Sequence, residues 1–301
     1  MINKIDEVSM RGEMQYTSGL RRILQLKANP IITDLKTYKY QNRGYSFHDI
    51  MPYFEIEIKT INGVKAYYFK SRKGSRKNVV YVIHGGGYVL PISQNNIFGS
   101  SLYSQYTDNS DILLIDYTVK SQGSYEKTLE DAFKGYETLI DKYEHIVIAG
   151  QSAGAGLAVS LTHYLKDNGI RLPDCLVLAS PWLDVKCDGE SYETKRKEDI
   201  IFGSLKDEVL PNPYPACQSP YLYPLLKDFR GFPPVMVNTS QNEMVLSDTL
   251  KLEDILERSD VVNEVHLYRH MWHDFYTHDD SLPECHNVWL SIKKFTEKYI
   301  K

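Results

Sequence analysis

The sequence predicts an α/β protein with a mainly parallel central sheet and helices on both of its faces. Short apolar runs typical of buried strands recur along the chain, and segments with helical apolar spacing separate them. Such alternation favours a parallel sheet, because each crossover helix covers one face. Glycine-rich and polar turns follow several of the runs, at the strand ends where α/β proteins gather ligand and catalytic groups.

Composition limits the function classes that the chain can serve. It has 301 residues, of which 42% are hydrophobic and 25% charged, and a formal net charge of −4. This balance is ordinary for a globular protein and gives no electrostatic signature of nucleic-acid or anionic-membrane binding. No apolar run approaches a membrane span, and residues 1–13 lack the apolar core of a signal peptide. We therefore expect no nucleic-acid partner and no stable membrane insertion, while a homo-oligomer is compatible with the sequence.

The cysteines are scattered and lack the spacing of a metal site. They are Cys175, Cys187, Cys217 and Cys285. In a chain of this size we expect them to remain reduced and to pack as ordinary thiols, which favours a cytoplasmic location. We expect neither a metal nor a cofactor.

The first third of the chain begins with a polar, tyrosine-bearing arm over residues 1–53, in which residues 16–26 have helical apolar spacing. Residues 54–58 then alternate as a half-buried strand does, and residues 64–69 follow an Asn-Gly turn as its hairpin partner. The arm is expected to cover part of the molecule and to contribute to a cap.

A strand buried on both faces is predicted over residues 78–83, which are continuously apolar after Asn78. It runs into His84 and three consecutive glycines, Gly85, Gly86 and Gly87. Glycines at such a place let backbone N–H groups approach a reacting acyl group that a side chain would obstruct. His84 is expected to pin this loop rather than to transfer protons.

The middle of the chain predicts a helix over 92–106, a strand over 111–117, a helix over 125–143 and a strand over 145–149. Residues 150–154, Gly-Gln-Ser-Ala-Gly, follow that strand and lead into a run of small residues. A turn of this kind holds its serine in a strained conformation above the sheet edge, beside a helix N-terminus. Ser152 is therefore the candidate nucleophile; the alternative is an ordinary turn in which Ser152 only caps the helix.

The next predicted strand covers residues 175–179, and an insertion follows it. Residues 186–231 carry charge clusters, dense prolines and aromatic residues but no strand pattern, which predicts an inserted cap of short helices. The remaining segments, 54–185 and 232–301, are predicted to form the catalytic domain. Within the second segment we expect strands at 234–238 and 264–268 and helices at 248–258 and 283–300.

Three polar residues then fall on loops after three different predicted strands, in the order Ser152, Glu243, His273. A serine hydroxyl needs a base to remove its proton, an imidazole can do this near neutral pH, and a carboxylate orients the imidazole. Asp248 is an alternative acid, although a carboxylate at the start of a helix also serves the helix dipole. His270 and His278 are alternative bases.

Together, these segments resemble the hormone-sensitive-lipase-like esterases of the α/β-hydrolase superfamily. The resemblance rests on the His-Gly-Gly-Gly at 84–87, the serine turn, the Ser-Pro-Trp-Leu-Asp at 180–184, Glu243 and the Met-Trp-His-Asp-Phe at 271–275. It implies an α/β-hydrolase fold and an oxyanion hole made by the N–H groups of Gly86, Gly87 and Ala153. It also implies a cap built from the arm and the insertion. The sequence departs from the family at Gln151, where the family usually has an aspartate.

The expected function is that of a serine carboxylesterase for small, short-to-medium acyl esters, working through an acyl-enzyme without a cofactor. An amide or formamide hydrolase would use the same machinery. A binding protein on a hydrolase fold is a third hypothesis, which the presence of all three candidate catalytic residues disfavours.

Overall fold

One nine-stranded sheet runs through the protein in the computed structural model, which describes residues 2–26, 50–74, 77–203, 212–277 and 281–300. The strand order is β1-β9-β8-β7-β6-β4-β5-β3-β2. The strands are β1 Ile2–Ile5, β2 Phe54–Ile61, β3 Val64–Ser71, β4 Asn78–Ile83, β5 Asp111–Asp116, β6 His145–Gln151, β7 Cys175–Ala179, β8 Val235–Ser240 and β9 Asn263–Tyr268.

The sheet is mainly parallel, as predicted. Seven strands pair in parallel with their neighbours, in the order β1, β9, β8, β7, β6, β4, β5. Only the hairpin strands β2 and β3 add to this sheet in antiparallel register. Every residue of β4, β7 and β8 is buried. This burial explains why β4 and β7 are almost continuously apolar rather than alternating.

Helices cover both faces of the sheet. They are α1 Met10–Leu26, α2 Gln94–Tyr106, α3 Tyr125–Glu137, α4 Ala153–Asp167, α5 Ser191–Thr194, α6 Leu246–Arg258 and α7 Pro283–Thr296. Alternate residues of β4 enter two separate apolar clusters: Tyr81 packs with the side chains of α3 and α4, and Val82 packs with those of α2 and α7. The predicted layering is thus confirmed, and the fold is that of an α/β hydrolase.

The N-terminal segment contributes a strand that the sequence did not predict. β1 pairs in parallel with β9 and places Ile2 opposite Val265. Two of its four residues are exposed polar ones, so its pattern is too short and too mixed to stand out. α1 begins at Met10, earlier than the predicted residue 16, and Ser9 Oγ accepts the Gly12 N–H at 3.0 Å.

Two helices end earlier than predicted. α3 ends at Glu137 and α7 at Thr296, and turns follow both. Leu139 and Tyr143 beyond α3 are nevertheless buried. Their burial continues the apolar spacing past the helix end, so the periodicity could not locate that end.

The insertion between β7 and β8 holds α5 and two short 3-10 helices, Pro220–Leu222 and Pro224–Leu226, and its residues 204–211 lie outside the described ranges. No sheet strand occurs in its described parts, 186–203 and 212–231. The second part packs on α3 and α4, where Tyr125 Oη and Ser160 Oγ donate to the Tyr221 carbonyl at 2.9 and 2.6 Å.

All four cysteines are free thiols, as expected, and Cys175 and Cys285 are buried. Across the described ranges, no helix is both long enough and apolar enough to cross a membrane. The same residues contain no group of three or more histidine, cysteine and acidic side chains arranged to hold a metal ion.

Candidate active site

The candidate catalytic residues lie on loops at the carboxyl edge of the sheet. Ser152 directly follows β6, Glu243 follows β8 and His273 follows β9. Because β6, β7, β8 and β9 are consecutive parallel neighbours in the sheet, their carboxyl ends share one edge. Side chains that are 121 positions apart in sequence, from 152 to 273, are thereby brought to one region.

Ser152 occupies a strained turn between β6 and α4. Its φ of 51° and ψ of −121° lie in a region that residues with a Cβ rarely adopt. The backbone holds it there: the Ser152 N–H donates to the Ala179 carbonyl at 2.9 Å, and the Ser152 carbonyl accepts the Trp182 N–H at 3.2 Å. Its side chain makes no capping hydrogen bond to α4, so the alternative interpretation of Ser152 as a helix cap is wrong.

The glycines on either side of Ser152 permit close backbone packing. A Cβ built on Gly150 would lie 2.5 Å from the Ala155 Cα. A Cβ built on Gly154 would lie 2.2 Å from the carbonyl oxygens of both Ile83 and His84. The turn therefore stands directly against the end of β4, which brings the serine close to the glycine-rich loop.

We predict that Gly154→Ala destabilises the protein, because a methyl group would have to displace backbone atoms of β4. The expected loss of unfolding free energy is about 1–3 kcal/mol, the usual range for overpacking. Urea unfolding followed by circular dichroism measures it. Gly12→Ala in α1 is the matched control, because its Cβ would meet only the flexible ends of the Glu284 and Met271 side chains, at 3.0 Å. Equal losses in both variants would contradict the prediction.

Glu243 and His273 contact each other directly. Glu243 Oε2 lies 2.7 Å from His273 Nδ1, and the carboxylate is fully buried. Its other oxygen, Oε1, accepts hydrogen bonds from Thr239 Oγ1, from Ser180 Oγ at 2.9 Å and from the Ser240 N–H at 2.5 Å. A carboxylate held by this many donors is fixed in position and can orient the imidazole.

Asp248, the alternative acid, is used elsewhere. Its Oδ2 accepts the N–H groups of Leu183 and Asp184 at 2.7 and 2.9 Å and the hydroxyl of Tyr192 at 2.9 Å. Burial raises the pKa of Asp248 to about 7. These bonds hold the loop after β7 and helix α5 against α6, and none of them reaches His273.

His270, one alternative base, binds the N-terminal helix. Its Nδ1 lies 2.6 Å from Glu13 Oε1, and its ring stacks on Tyr16 at 4.8 Å between centroids. The Tyr16 hydroxyl in turn donates to the Glu198 carbonyl of the insertion at 3.0 Å. These contacts attach α1 to both the loop after β9 and the insertion. His278, the other alternative, lies outside the described residues.

His84 is a buried neutral side chain beneath the glycine-rich loop. Its Nδ1 lies 2.6 Å from the Gly85 carbonyl, and its ring stacks on Tyr117 at 4.2 Å. Burial lowers the pKa of His84 to about 4. A neutral imidazole held by its neighbours in this way fits the expected role of pinning the loop.

The glycine-rich loop passes beside Ser152. A Cβ built on Gly85 would lie 3.2 Å from the Ser152 Cβ. Gly86 and Gly87 have φ values of 124° and 62°, which favour glycine. Neither of their N–H groups donates a hydrogen bond to a described residue, and Ala153, as the first residue of α4, has no intrahelical acceptor for its N–H.

Asp274 connects His273 to this loop. Asp274 Oδ2 lies 3.6 Å from His273 Nε2 and would lie 3.5 Å from a Cβ on Gly85, which is itself close to Ser152. His273 Nε2 is buried and has no hydrogen-bond partner among the described residues. The nitrogen that a base would use therefore faces Asp274 and makes no hydrogen bond to a described residue.

The insertion touches the imidazole. The Phe202 ring meets His273 edge to face at 4.5 Å between centroids. Asp199 holds this segment, because it accepts the N–H groups of Phe202 and of Met244, each at 2.8 Å. Sequence reasoning gave Asp199 and Phe202 no role in the site because nothing local marks them, and it used Ser180 only as part of the Ser-Pro-Trp-Leu-Asp motif. Asp274 could have been noticed as a second carboxylate directly beside the candidate base.

A strained serine, a buried carboxylate–imidazole pair and a glycine-rich loop at the carboxyl edge of a parallel sheet define a hydrolase-type site. The comparisons with known proteins agree. A family model described as the alpha/beta hydrolase fold matches residues 79–277. The chain belongs to this family.

Relatives narrow the assignment. The chain is 26% identical over 258 residues to an esterase of Acinetobacter venetianus, covering 81% of this chain and 82% of that one. It is 26% identical over 234 residues to an acetyl-hydrolase of Streptomyces hygroscopicus, covering 76% and 78%. A crystal structure of an esterase from the bacterial hormone-sensitive lipase family superposes with a TM-score of 0.83, at 23% identity over 98% of this chain and 100% of that one. The resemblance to the hormone-sensitive-lipase-like esterases is thereby confirmed, and the chain falls among the carboxylic ester hydrolases.

Proposed function

We propose that the protein is a serine carboxylesterase in which Ser152, His273 and Glu243 form a catalytic triad. The observation that carries the proposal is the 2.7 Å contact between Glu243 and His273, at the sheet edge where Ser152 occupies its strained turn. The carboxylate holds the imidazole with Nδ1 protonated, which leaves Nε2 as the proton acceptor.

The reaction then follows in two halves. Ser152 Oγ attacks the acyl carbonyl while His273 Nε2 accepts its proton, and His273 returns that proton to the departing alcohol. Water, activated by the same nitrogen, hydrolyses the acyl-enzyme. Glu243 keeps its charge and stabilises the imidazolium in both halves.

The oxyanion of each tetrahedral intermediate would be bound by the N–H groups of Gly86, Gly87 and Ala153. Their lack of an acceptor among the described residues supports this assignment, because such donors are preorganised for a charge that develops only during the reaction. The N-terminus of α4, a helix of 15 residues, adds a favourable dipole at the same place.

The part of the arm that follows β1, which is itself an edge strand of the sheet, and the insertion of residues 186–231 are proposed to form the cap over the acyl pocket. The stacking of Tyr16 on His270 and the contact of Phe202 with His273 support this proposal. Aromatic walls placed so near the base would suit small, short-to-medium acyl groups. The domain boundaries at residues 54, 185 and 232 belong to the same proposal.

Hydrolysis of p-nitrophenyl acetate, butyrate, octanoate and palmitate by the purified protein tests the proposed function. We expect turnover of the acetate, butyrate and octanoate, with kcat/KM falling steeply at the palmitate because a closed cap leaves little room for a long chain. An initial burst of p-nitrophenol equal to one per active site would identify the acyl-enzyme. Faster hydrolysis of palmitate than of butyrate would contradict the substrate class, and turnover only of arylamides or N-formyl amines would replace the ester assignment.

A further inference from the structure

A second carboxylate lies against the candidate base. Asp274 directly follows His273, and its Oδ2 lies 3.6 Å from His273 Nε2, on the side of the ring opposite to Glu243. The Asp274 side chain is 17% exposed. The imidazole is thus flanked by one carboxylate at each nitrogen.

The two carboxylates are stabilised in different ways. Glu243 accepts hydrogen bonds from three groups besides His273. Asp274 Oδ1, by contrast, is buried without a hydrogen-bond partner among the described residues. A buried carboxylate oxygen without donors makes the charged form more costly, which favours either the uptake of a proton or pairing with a nearby cation. Among the residues that the structure describes, the basic group that contacts Asp274 is the imidazole of His273.

Other titratable groups around this pair do not supply a second cation. Asp199, from the insertion, adds a further negative charge near His273. Tyr103 of α2 and Tyr276 face Asp274, and burial raises the pKa of both hydroxyls, so they are neutral. Within the described part of the chain, the charges that act on the imidazole are therefore those of three carboxylates, Glu243, Asp274 and Asp199.

We propose that His273 and Asp274 share one proton through the neutral pH range, and that the loss of this proton frees His273 Nε2 to act as the base. The proposal rests on the esterase function given above. While the pair retains its proton, Nε2 carries it and is stabilised by the charge of the Asp274 carboxylate, 3.6 Å away. The lone pair that Ser152 needs is then occupied.

The charges and the burial around the pair also favour retention of the proton. Burial acts to lower the pKa of His273, but the charges of Asp274, Glu243 and Asp199 outweigh burial and raise that pKa above its ordinary value. Burial raises the pKa of Asp274, against the opposing charge of His273. Both effects make the pair hold its proton to a higher pH than an isolated histidine would.

This predicts a shift in the pH dependence of the enzyme. The acidic limb of the kcat/KM profile reports the loss of the proton that blocks the base. Without the Asp274 carboxylate, His273 loses its proton at a lower pH, so the limb moves to lower pH. A charge at this distance typically shifts a pKa by about 1–3 units, and we expect a displacement in that range.

Two variants separate the charge from other properties of the side chain. Asp274 has a φ of 56°, a conformation that asparagine and glycine both tolerate, so we would compare Asp274→Asn with Asp274→Gly. Asparagine keeps the shape, whereas glycine removes any donor that could bind Nε2. Asp108→Asn is the matched control. Asp108 is exposed and has a similar φ of 54°, and its replacement by asparagine removes the same charge at a position away from the site.

We would measure kcat/KM for p-nitrophenyl butyrate as a function of pH in the wild type, in both Asp274 variants and in Asp108→Asn. In the same proteins we would follow the titration of the His273 ring by NMR. The signal is assigned by its absence in His273→Ala. We expect the acidic limb and the His273 titration to move together to lower pH in both Asp274 variants and to stay in place in Asp108→Asn. A His273 titration that stays at the wild-type pH in both variants would overturn the proposal. If no ester were hydrolysed at all, the proposed function would fail, and the NMR titration would still decide whether the pair shares a proton.

Discussion

Replacing Ser152 with alanine is expected to lower kcat for p-nitrophenyl butyrate by about three to six orders of magnitude, with little change in folding stability. Without the hydroxyl there is no nucleophile for His273 to activate, and no acyl-enzyme can form. Because the residues of a triad act as a unit, a Ser152→Ala, His273→Ala double variant should be only slightly less active than either single variant. Stopped-flow and steady-state assays measure the burst and kcat.

Two further variants make this result interpretable. Ser152 has a φ of 51°, so Ser152→Gly tests whether strain relief in the turn, rather than loss of the hydroxyl, changes the rate. Ser160→Ala, on the same helix, removes a buried hydroxyl that donates to the Gly156 and Tyr221 carbonyls, and it should retain near wild-type kcat. Turnover that survives both Ser152 variants would mean that this turn does not carry the nucleophile.

Replacing Glu243 with glutamine is expected to lower kcat by about two to four orders of magnitude. The amide removes the charge that stabilises the imidazolium, and it can present an NH₂ group to His273 Nδ1, which favours the wrong tautomer. The buried donors that now bind Glu243 Oε1, among them Ser180 Oγ and the Ser240 N–H, would still find an amide oxygen. The main effect should therefore appear in kcat rather than in KM or in the unfolding midpoint.

Asp248→Asn is the matched control for the acid. Asp248 is as deeply buried as Glu243 but binds Leu183, Asp184 and Tyr192 instead of His273. We expect this variant to change the unfolding midpoint while kcat stays within about tenfold of wild type. A larger loss of kcat in Asp248→Asn than in Glu243→Gln, at equal folded fraction, would refute the assignment of Glu243.

The central sheet could be predicted from sequence because burial on both faces demands unbroken apolar runs. β4 and β7 have the predicted bounds, Asn78–Ile83 and Cys175–Ala179. Edge elements lack this constraint. β1 has one neighbour and half-exposed residues, and it is a strand because the edge of β9 offers its backbone a partner.

The candidate site, too, could be predicted from the sequence only in part. The residue types, their order and their place after strands led to Ser152, Glu243 and His273, because a parallel sheet gathers its strand ends on one edge whatever the loops contain. Local sequence could not decide between Glu243 and Asp248, since both follow β8 and both are carboxylates. Only the tertiary structure places Glu243 at 2.7 Å from the imidazole and surrounds Asp248 with other donors.

The sequence by itself therefore determined the layered fold, the sheet edge that holds the candidate site and the three kinds of candidate group that lie along this edge. Tertiary structure alone decided which carboxylate touches His273, that the insertion reaches it through Phe202, and that Asp274 lies against its second nitrogen. The physical reason is the separation along the chain of the residues that interact. Strand burial and turn strain are encoded within a few neighbouring residues, whereas hydrogen bonds and charge pairs depend on distances between segments that are far apart in the chain.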